Sequence, residues 1–480
     1  MSKTKTNILL QCVYNICILI IPFITAPYIS RTLGSSQNGI YSYHYSIVNY
    51  FMLAEMLGLE TYGARSIARV KDNKDTLEKT FSDIFLSHLL ISAIVIFVYT
   101  IYCLLMTGQD RLISIIQGTY LLGQLFNISW LFTGLSEHKI IVVRSIIIKI
   151  IIVILVFTLI RDSDDLLIYI FLSGFDILLS QITLWGILRK YIKLKKPSIK
   201  AALRHLKPQV VLFASIIASS IYRMMDKTMI GHMGFLSDLG QYEYADKIVK
   251  MPISIITGIG TVMLSNSSHL FAIGEKKQAI ELAQKTLLVI TYFISFLFFA
   301  ILSYGSLFCT LYLGKEYNYT GSLLMILAIT LLFISWNNVL RTQYFIPQSK
   351  DKLYVVAVWV GALINVIINI LLIPKYSCTG AAIATVIAYF SVTCFELYFA
   401  RKELNSSKII KSSIIPFLLG VFPFACSFLW KELFSSDIIG FFIQAIIFTA
   451  EYIIVLMIYL AITNKLNHFK ELISHKKIFR

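Results

Sequence analysis

GQYEYADKI (Gly240–Ile248) repeats the pattern of GIYSYHYSI (Gly39–Ile47), because both stretches match G-x-Y-x-Y-x-x-x-I. The copies begin at positions 39 and 240, and each follows a short loop and opens the second apolar segment of its half of the chain. A match at equivalent places in both halves indicates an internal duplication. The sequence therefore predicts two lobes with the same order of helices.

The composition is that of a membrane protein. Hydrophobic residues make up 57% of the 480 positions and charged residues only 14%, whereas soluble domains carry about a quarter charged residues. The mean hydropathy is +0.75, and apolar runs of about 20 residues, the length of a membrane-spanning helix, recur from end to end. We therefore expect an all-α integral membrane protein.

About fourteen apolar segments are long enough to cross a bilayer as helices. They are Ile8–Ser30, Ile40–Leu59, Phe81–Met106, Leu112–Phe132, Ile140–Ile160, Leu166–Leu188, Pro208–Gly231, Tyr242–Ser267, Thr286–Leu313, Thr320–Leu340, Leu353–Ile373, Thr379–Ala400, Ser412–Trp430 and Ile438–Thr463. The motif opens the second and the eighth of these spans, so both copies enter the membrane from the same side. This predicts a parallel repeat with a pseudo-two-fold axis along the membrane normal.

The repeat divides the chain into predicted domains. Residues 1–188 form an N-lobe of six spans, 208–400 a C-lobe of six spans, and 401–480 two additional spans with a basic tail. The basic segment 189–207 links the lobes. It lies either in solvent or on the anionic inner leaflet as an amphipathic segment.

The basic residues indicate the orientation. With a cytoplasmic N-terminus, roughly 32 Lys and Arg fall in the termini and loops on the inside and about 6 on the outside. The net charge of +17 is therefore a topology signal, and we expect no nucleic-acid partner. Both termini are predicted to be cytoplasmic.

YRMMDKTMIG (Tyr222–Gly231) places charges inside the seventh span. Arg223 and Lys227 are four residues apart and share a helix face, with Asp226 beside them. A charge at the bilayer centre costs about 2.5–3.5 kcal/mol on insertion scales, so such residues face protein or water and indicate a functional site.

The eighth span carries a matching stripe. Glu243, Asp246, Lys247 and Lys250 follow i, i+3, i+4, i+7 spacing, which is one face of a helix. The two spans are antiparallel neighbours, and at 1.5 Å per residue Arg223 and Lys250 both lie about 12 Å from the outer ends. We expect the two charged faces to meet in the outer half of the membrane.

Two interpretations of these charges stay open. They either form a self-neutralising structural network, or Asp226 and Asp246 each pair with the lysine that follows and leave surplus positive charge. A surplus suits a phosphate or pyrophosphate, for which arginine is a bidentate donor. The candidate substrate-binding residues are Arg223, Lys227, Lys247, Lys250 and Arg31, with Asp226 and Asp246 as coupling or charge-balancing residues.

Other polar residues at membrane depth also have two interpretations. Arg31, at the outer end of the first span, is either an interfacial arginine or a ligand. The amides of Gln124, Asn365 and Asn369 either join helices or hydrogen-bond sugar hydroxyls. The motif tyrosines are predicted in an aromatic belt at the outer interface. Candidates for carrying a coupling proton are Glu55, Asp83, His88, Asp176, Glu396 and Glu451.

Several signatures are missing from the sequence. It contains no G-x-x-x-x-G-K-[ST] phosphate loop and no H-E-x-x-H motif, and its seven cysteines show no metal or redox spacing. We expect no enzyme activity, no cofactor and no metal site. The pattern favours secondary transport, driven by a proton or sodium gradient, the membrane potential or substrate supply.

The stretch PYISRTLGSSQNGIYSYHYSIVNYFMLAEMLGLETYGARSIARVKDN (Pro27–Asn73) resembles the polysaccharide repeat-unit flippases called Wzx. That family characteristically carries P-Y-I-S-R-x-L-G, then G-x-Y, then Y-G-x-R-x-I-A before a basic loop. YRMMDKTMIG and GQYEYADKI resemble the start of its second lobe.

The resemblance implies a place in the superfamily of MATE drug exporters and lipid II flippases, with a V-shaped pair of lobes around a cationic cavity. It implies alternating-access movement of an undecaprenyl-pyrophosphate-linked oligosaccharide from the inner to the outer leaflet of the bacterial cytoplasmic membrane. Implied partners are the lipid-linked oligosaccharide, the bilayer, and a polymerase and glycosyltransferases of the same pathway. In lipid II flippases the last two helices form a groove for the lipid tail, and by analogy the additional pair here does the same.

The alternative is a MATE-type ion-coupled multidrug exporter. Such a protein should have a net acidic, aromatic cavity, whereas the charges around Arg223 and Lys250 are more positive. The chain departs from the flippase pattern in one respect, since Asp226 and Asp246 dilute the positive field and the N-lobe has few cavity cations. A membrane polymerase would need a large external loop, and the predicted external loops are about a dozen residues at most.

Overall fold

The computed structural model of the protein describes residues 3–463, and this range is α-helical apart from short connections. Side chains are described except at positions 1–19, 214–216, 218–219, 221–223 and 262. The predicted all-α, multi-pass membrane architecture is confirmed.

The helices are long, as membrane-spanning segments require. They are α1 Lys3–Met56, α2 Leu59–Val70, α3 Lys74–Leu105, α4 Gly108–Leu125, α5 Ser129–Gly134, α6 His138–Leu159, α7 Leu166–Leu188, α8 Ile199–His232, α9 Leu236–Ala272, α10 Lys276–Leu313, α11 Asn318–Ala328, α12 Thr330–Leu340, α13 Asp351–Leu404, α14 Ser406–Leu433 and α15 Ile438–Ile462.

These helices supply the fourteen predicted segments. α1 and α13 each bend once and provide two segments, while α11 and α12 form one broken segment with a 42° bend. The other nine segments are α3, α4, α6, α7, α8, α9, α10, α14 and α15. By length and composition alone, eight of the described helices are able to cross a membrane, or nine if the bent pair counts as one.

The first two spans are joined by a single break at Gly34. The sequence predicts a loop of several residues there, but helix continues on both sides of this glycine, which has φ 73° and ψ 173°. A residue with a Cβ is disfavoured at positive φ, whereas glycine adopts it readily. The backbone therefore departs from helical geometry at this one residue.

By packing, the chain divides into two compact units, Met1–Gly240 and Gln241–Arg480. α8 packs on α1 and α3 and belongs to the first unit. This division falls after the predicted lobe boundary at residues 189–207. The lobe boundary is defined by the sequence repeat rather than by packing, and it stays a prediction.

The first unit has a tightly packed core around α2, α3 and α5. The Trp130 ring stacks on Phe81 with 5.2 Å between ring centroids. A Cβ added to Gly63 would lie 2.6 Å from the Trp130 indole, so this glycine lets α2 approach the ring. A second apolar cluster joins α1 to α6 and α7.

The second unit includes the two additional helices α14 and α15, which pack on α10. Ser295 Oγ donates to the Pro416 carbonyl oxygen at 2.6 Å, and the Tyr452 hydroxyl donates to the Tyr292 carbonyl oxygen at 2.8 Å. Both bonds are buried. The first joins α10 to α14 and the second joins α10 to α15. α14 and α15 are therefore an integral part of this unit.

Candidate substrate-binding site

The glycines of the two motif copies meet where α1 passes the first turn of α9, residues 236–240. A Cβ added to Gly39 would lie 1.7 Å from the Leu236 carbonyl oxygen, and one added to Gly240 would lie 1.9 Å from the Ser35 carbonyl oxygen. Beside this crossing the Ser35 and Ser237 hydroxyl oxygens are 2.8 Å apart. A side chain at either glycine would force the two backbones apart, so the motif requires glycine at this position.

The motif tyrosines contact neighbouring helices, with Tyr41 half-buried and Tyr242 buried. Their place in an aromatic belt at the outer interface stays a prediction. The hydroxyl oxygens of Tyr41 and Tyr120 are 3.2 Å apart, and the Tyr41 ring lies 5.0 Å from that of Tyr169. In the second copy Tyr242 is buried, with its hydroxyl 3.3 Å from Thr385 Oγ1. Side chains of neighbouring helices therefore contact these two hydroxyl groups.

α8 buries two charged side chains of the seventh span. Asp226 and Lys227 are only 4% and 8% exposed, and both interact with neighbouring groups. α8 is fixed to α1 beside them, because Ser46 Oγ lies 2.9 Å from Thr228 Oγ1. Buried charges of this kind must be paired or hydrogen-bonded. The side chain of Arg223 lies outside the described residues, so its place in the site stays a prediction.

α9 pairs its own charges. Glu243 Oε1 is 3.1 Å from Lys247 Nζ, and Asp246 Oδ2 is 2.7 Å from Lys250 Nζ. Both pairs are four residues apart, a spacing that brings side chains together on a helix. The predicted pairing of Asp246 with Lys247, which leaves Lys250 in surplus, is wrong because adjacent residues point about 100° apart around a helix.

The acids of these pairs are more buried than the lysines. Glu243 and Asp246 side chains are 11% and 14% exposed, whereas those of Lys247 and Lys250 are 43% and 40% exposed. Asp246 is the one hydrogen-bond partner of the Lys250 ammonium among the described residues, and an ammonium has three N–H donors. The stripe therefore presents lysines that are oriented by acids and, at Lys250, retain donors for another ligand. The meeting of this stripe with the charged face of α8 stays a prediction.

Arg31 is exposed and lines a groove of about 800 Å³ together with Arg161. Arg161 is not among the residues predicted from the sequence. The available signal was its place in the loop between the fifth and sixth spans, at the same predicted face as Arg31.

The amide candidates separate into two groups. Asn365 and Asn369 are fully buried in α13, and Asn369 Nδ2 donates to Asn365 Oδ1 at 3.2 Å, so in this conformation neither is accessible to a sugar. Gln124 is partly exposed, and its Oε1 accepts from Asn127 Nδ2 at 3.0 Å. Gln124 therefore stays a candidate sugar contact, while the asparagine pair has a packing role here.

The predicted proton carriers also differ in their surroundings. Asp176 is paired with Lys149 at 2.7 Å, and Glu451 Oε1 accepts from Trp430 Nε1 at 2.9 Å. Two more of these candidates contact backbone groups. His88 Nε2 lies against the Gln124 carbonyl oxygen, and the Asp83 carboxylate accepts from a backbone N–H of the linker between α7 and α8.

Two of these acids are buried without a hydrogen-bond partner in the described part of the chain, on either carboxylate oxygen. They are Glu55 in α1 and Glu396 in α13. A charged carboxylate in such a place is costly. These two residues are therefore the strongest candidates for carrying a coupling proton.

The basic linker is fastened to α3, which neither predicted placement anticipated. Three side chains of α3 accept hydrogen bonds from its backbone N–H groups. The pairs are Glu78 Oε1 with Lys193 N (3.0 Å), Ser82 Oγ with Lys195 N (3.0 Å) and Asp83 Oδ1 with Ser198 N (2.7 Å). Glu78 and Ser82 are four residues apart on a helix, a rise of about 6.0 Å, and Lys193 and Lys195 are two residues apart, about 6.6 Å in an extended chain. The spacing of these two acceptors therefore matches that of the two backbone N–H groups.

The described residues hold no group of three or more His, Cys, Asp or Glu side chains placed to bind a metal ion. The described residues form an all-helical, multi-pass membrane fold with bent and broken spans. Lipid II flippase MurJ in an inward closed conformation has a similar structure, with a TM-score of 0.77 and 17% identity over 95% of this chain and 99% of that chain. An inward-facing multidrug resistance MATE family transporter has a TM-score of 0.59 and 15% identity over 83% of this chain and 96% of its own.

The family follows from the sequence comparison. A family model described as polysaccharide biosynthesis protein matches residues 5–264, more than half of the chain, and the chain belongs to this family. A putative O-antigen transporter of Shigella dysenteriae is 24% identical over 402 residues, which are 82% of this chain and 99% of that protein.

Proposed function

We propose that this protein is a flippase that moves undecaprenyl-pyrophosphate-linked oligosaccharide repeat units from the inner to the outer leaflet of the bacterial cytoplasmic membrane, for surface polysaccharide synthesis. The observation that carries the proposal is the extent of the similarity, since the match to a putative O-antigen transporter covers 99% of that relative. The chain also shares its fold with a lipid II flippase over nearly its whole length.

The substrate's pyrophosphate needs cationic partners, which α9 and α8 would provide. Lys250 retains N–H donors beside Asp246, and Lys247 is held by Glu243. Because each lysine is already balanced by an acid, it attracts a phosphate less strongly than an unpaired cation would. Moderate binding suits a transporter, which has to release its substrate on the far side. Arg223 and Lys227 complete the proposed set.

The transport cycle that fits the duplicated sequence is alternating access, in which the two repeats rock around a site near the membrane centre. Glu55 and Glu396 are the proposed proton carriers, because each is a buried carboxylic acid whose charge no described group balances by a hydrogen bond. Proton binding would neutralise them and change the cost of their burial. A sodium ion is the alternative coupling ion.

A MATE-type multidrug exporter is the second candidate, and the observation that favours it is the structural similarity to such a transporter. A cavity for cationic drugs should carry net negative charge. On α9 the four charges balance as two ion pairs, which does not attract cations. Drug-sensitivity profiles with and without the gene separate the two functions, because deleting a flippase gene should leave drug sensitivity unchanged.

Deleting the gene in a strain that makes the polymer tests the proposal. We expect lipid-linked repeat units to accumulate on the cytoplasmic side and surface polysaccharide to fall, with recovery when the wild-type gene is restored. Lipid-linked units that reach the outer leaflet normally in the deletion strain would contradict the proposal. Reporter fusions at both ends test the predicted cytoplasmic termini.

A further inference from the structure

An ion pair lies in the middle of two membrane spans of the first unit. Lys149 Nζ is 2.7 Å from Asp176 Oδ2. Lys149 is the twelfth of the 22 residues of α6, and Asp176 is the eleventh of the 23 residues of α7. Ionisable residues at this depth are costly in lipid and indicate a functional site. The two side chains are 35% and 16% exposed, so the packing of the helices does not enclose the pair.

The ion pair does not lie on the lipid-facing side of either helix. Large exposed apolar side chains mark that side, at Val143, Ile147, Ile150, Ile151, Ile154 and Phe157 of α6 and at Ile168, Phe171 and Ile182 of α7. At about 100° per residue, Lys149 and Asp176 lie roughly 110–130° around their helices from the middle of these faces. Exposed polar groups that do not face lipid lie in a polar, water-accessible space.

Asp176 belongs to a polar stripe that runs along α7. Tyr169, Ser173, Asp176 and Ser180 follow i, i+4, i+7, i+11 spacing, which is one face of a helix, and all four are half-buried. At 1.5 Å per residue the stripe extends over about 16 Å. It therefore covers about half the thickness of a bilayer core, with the ion pair near its centre.

Close contacts with α4 fix the rotation of α7. A Cβ added to Gly174 would lie 1.9 Å from Thr119 Oγ1, and one added to Gly123 would lie 2.7 Å from Ile177 Cγ2. Such approaches are possible only where glycine faces the neighbouring helix. The side of α7 next to the polar stripe is therefore locked on α4, and the stripe keeps its orientation.

Tyrosine rings adjoin the first residue of the stripe. The Tyr169 ring lies 5.0 Å from that of Tyr41, which in turn stacks on Tyr45 at 5.7 Å with 15° between the ring planes. All three residues are half-buried. An aromatic ring presents an apolar face beside a polar hydroxyl, and a sugar ring likewise presents C–H groups on its faces and hydroxyl groups at its edge.

The ion pair itself offers donors and acceptors to a ligand. Asp176 is the one hydrogen-bond partner of the Lys149 ammonium among the described residues, and an ammonium has three N–H donors. The two opposite charges cancel, so the pair does not favour an anion such as phosphate. A donor beside an acceptor matches two adjacent sugar hydroxyls, since a hydroxyl both donates and accepts hydrogen bonds.

We propose that the polar stripe of α7, together with Lys149, Tyr41 and Tyr45, binds sugar residues of the lipid-linked oligosaccharide as it crosses the membrane. The inference rests on the proposed function and deepens it, because it gives the sugars a site separate from the cations for the pyrophosphate. Lys149 and Asp176 hydrogen-bond two adjacent hydroxyls, and the tyrosine rings stack on sugar faces. Asp176 then acts as a substrate ligand and not as a proton carrier.

The test uses two probes that each carry a different part of the substrate. The first is tritium-labelled oligosaccharide, released by mild acid from the lipid-linked units of a strain that makes the polymer, and it has sugars but no phosphate or lipid. The second is radiolabelled farnesyl pyrophosphate, which has no sugar. Equilibrium dialysis measures the binding of each probe to the full-length protein in phosphatidylcholine nanodiscs.

The main variant is Lys149→Leu/Asp176→Leu. It leaves no unpaired charge, and apolar replacement of a whole ion pair inside a protein is often tolerated without loss of stability. Thr158→Val is the matched control, because it removes an exposed hydroxyl of α6 that donates to the Ile154 carbonyl oxygen of the same helix at 2.9 Å. Ser173→Ala keeps the ion pair and tests the stripe even if the double variant does not fold, which its unfolding temperature shows.

We expect about tenfold weaker oligosaccharide binding by Lys149→Leu/Asp176→Leu and about threefold weaker binding by Ser173→Ala, because hydrogen bonds to charged groups contribute more than those between neutral groups. Both variants should bind farnesyl pyrophosphate like the wild type. Thr158→Val should bind both probes like the wild type.

Other results would overturn the proposal. If Ser173→Ala and the folded double variant bind the oligosaccharide as tightly as Thr158→Val does, the stripe is not a sugar site, and loss of polymer export by that double variant would assign the pair to ion coupling. An equal loss of affinity for both probes would assign the stripe to the pyrophosphate. A wild-type protein that binds no oligosaccharide would also contradict the proposal.

Binding in nanodiscs does not require transport, so this test is separate from that of the flippase function. A protein that supports flipping but fails the oligosaccharide test would lose only the sugar site. A protein that binds the oligosaccharide as expected, but whose deletion leaves repeat-unit flipping intact, would lose the flippase function.

Discussion

Gly39 and Gly240 lie backbone to backbone, each against the helix of the other. A Cβ at Gly39 would be 3.1 Å from the Gly240 nitrogen, and a Cβ at Gly240 would be 3.0 Å from the Gly39 nitrogen. The contact is reciprocal because the two residues occupy the same position of the duplicated motif. The motif that repeats in the sequence thus also forms a packing contact between α1 and the first turn of α9, within the first unit.

Gly240→Ala should destabilise this crossing. The nearest atom is the Ser35 carbonyl oxygen, at 1.9 Å from the added Cβ, and a backbone atom cannot move aside as a side chain can. We expect a loss of about 1–3 kcal/mol, typical of overpacking, measured as a lower unfolding temperature. Gly258→Ala in the same helix is the control, since a Cβ there meets nothing within 4 Å. Equal unfolding temperatures for the two variants would contradict the crossing.

Lys250→Ala should impair transport for two separable reasons. It removes a proposed pyrophosphate ligand, and it leaves Asp246 without its partner at 2.7 Å. The double variant Asp246→Ala/Lys250→Ala removes the acid together with its lysine and should restore thermal stability but not transport. We expect polymer export by Lys250→Ala to fall about tenfold or more, which corresponds to a loss of about 1.4 kcal/mol of substrate binding. Export that recovers in the double variant would make the pair purely structural.

Arg223→Ala tests the predicted partner of Lys250 on α8. We expect it to reduce polymer export as strongly as Lys250→Ala does, with normal membrane insertion measured by the amount of protein in isolated membranes. Lys352→Ala, at an exposed position outside the proposed site, is the control. Normal export by an Arg223→Ala/Lys250→Ala double variant would refute the cation site.

Asp83→Ala should release the linker from α3. The Asp83 carboxylate accepts from the Ser198 backbone N–H at 2.7 Å, and loss of a hydrogen bond to a charged acceptor typically costs about 1.5–3 kcal/mol. We expect faster trypsin cleavage after the basic residues of 189–198 in inside-out vesicles. Asp83→Asn keeps a carbonyl acceptor and should be cleaved more slowly than Asp83→Ala. Asp72→Ala, at an exposed site before α3, should cleave like the wild type.

Glu403 should make stability depend on pH. Burial alone would raise its pKa, but the Lys276 ammonium, the Tyr344 hydroxyl and the Lys350 ammonium together lower the pKa below its ordinary value of 4.5. Lys276 Nζ and Lys350 Nζ lie 3.1 and 3.4 Å from Glu403 Oε1. Because the pKa of Glu403 is lower in the folded protein, its ionised carboxylate stabilises the fold above the pKa of the unfolded chain. This stabilisation is lost as the pH falls through the pKa of the folded protein.

The measurement is the unfolding temperature of the wild type and of Glu403→Gln across pH. We expect the wild type to be more stable near neutral pH, and the difference to vanish well below pH 4.5. Glu432→Gln, at an exposed position, should show no difference at either pH. A difference between Glu403→Gln and the wild type that persists at low pH would contradict the assigned cause.

Much of the fold could be predicted from the sequence, because a membrane imposes simple rules. A helix needs about 20 apolar residues to cross the bilayer, and this alone yields the fourteen segments that the structure contains. The duplicated motif likewise shows the repeat before any coordinates are known. The break at Gly34 was less accessible, since a sequence pattern marks the turn but not that a single residue makes it.

The site was predicted less completely. The charged residues of α8 and α9 were predicted from the sequence. Lys250 was expected to be a surplus cation, but it pairs with Asp246. Four-residue spacing on a helix favours this pairing, so the sequence contained the information. Arg161 and the linker contacts were missed because each depends on segments that are far apart in the chain.

The sequence by itself determined the class of protein, because hydrophobic length, the distribution of basic residues and the repeat are properties of local segments. Tertiary structure decided which polar groups are buried, which are paired and which line a groove. Asn365 and Asn369 form a buried pair, whereas Arg31 and Arg161 share a groove. Burial and proximity arise from packing between helices, and helical periodicity specifies only the face on which a residue lies.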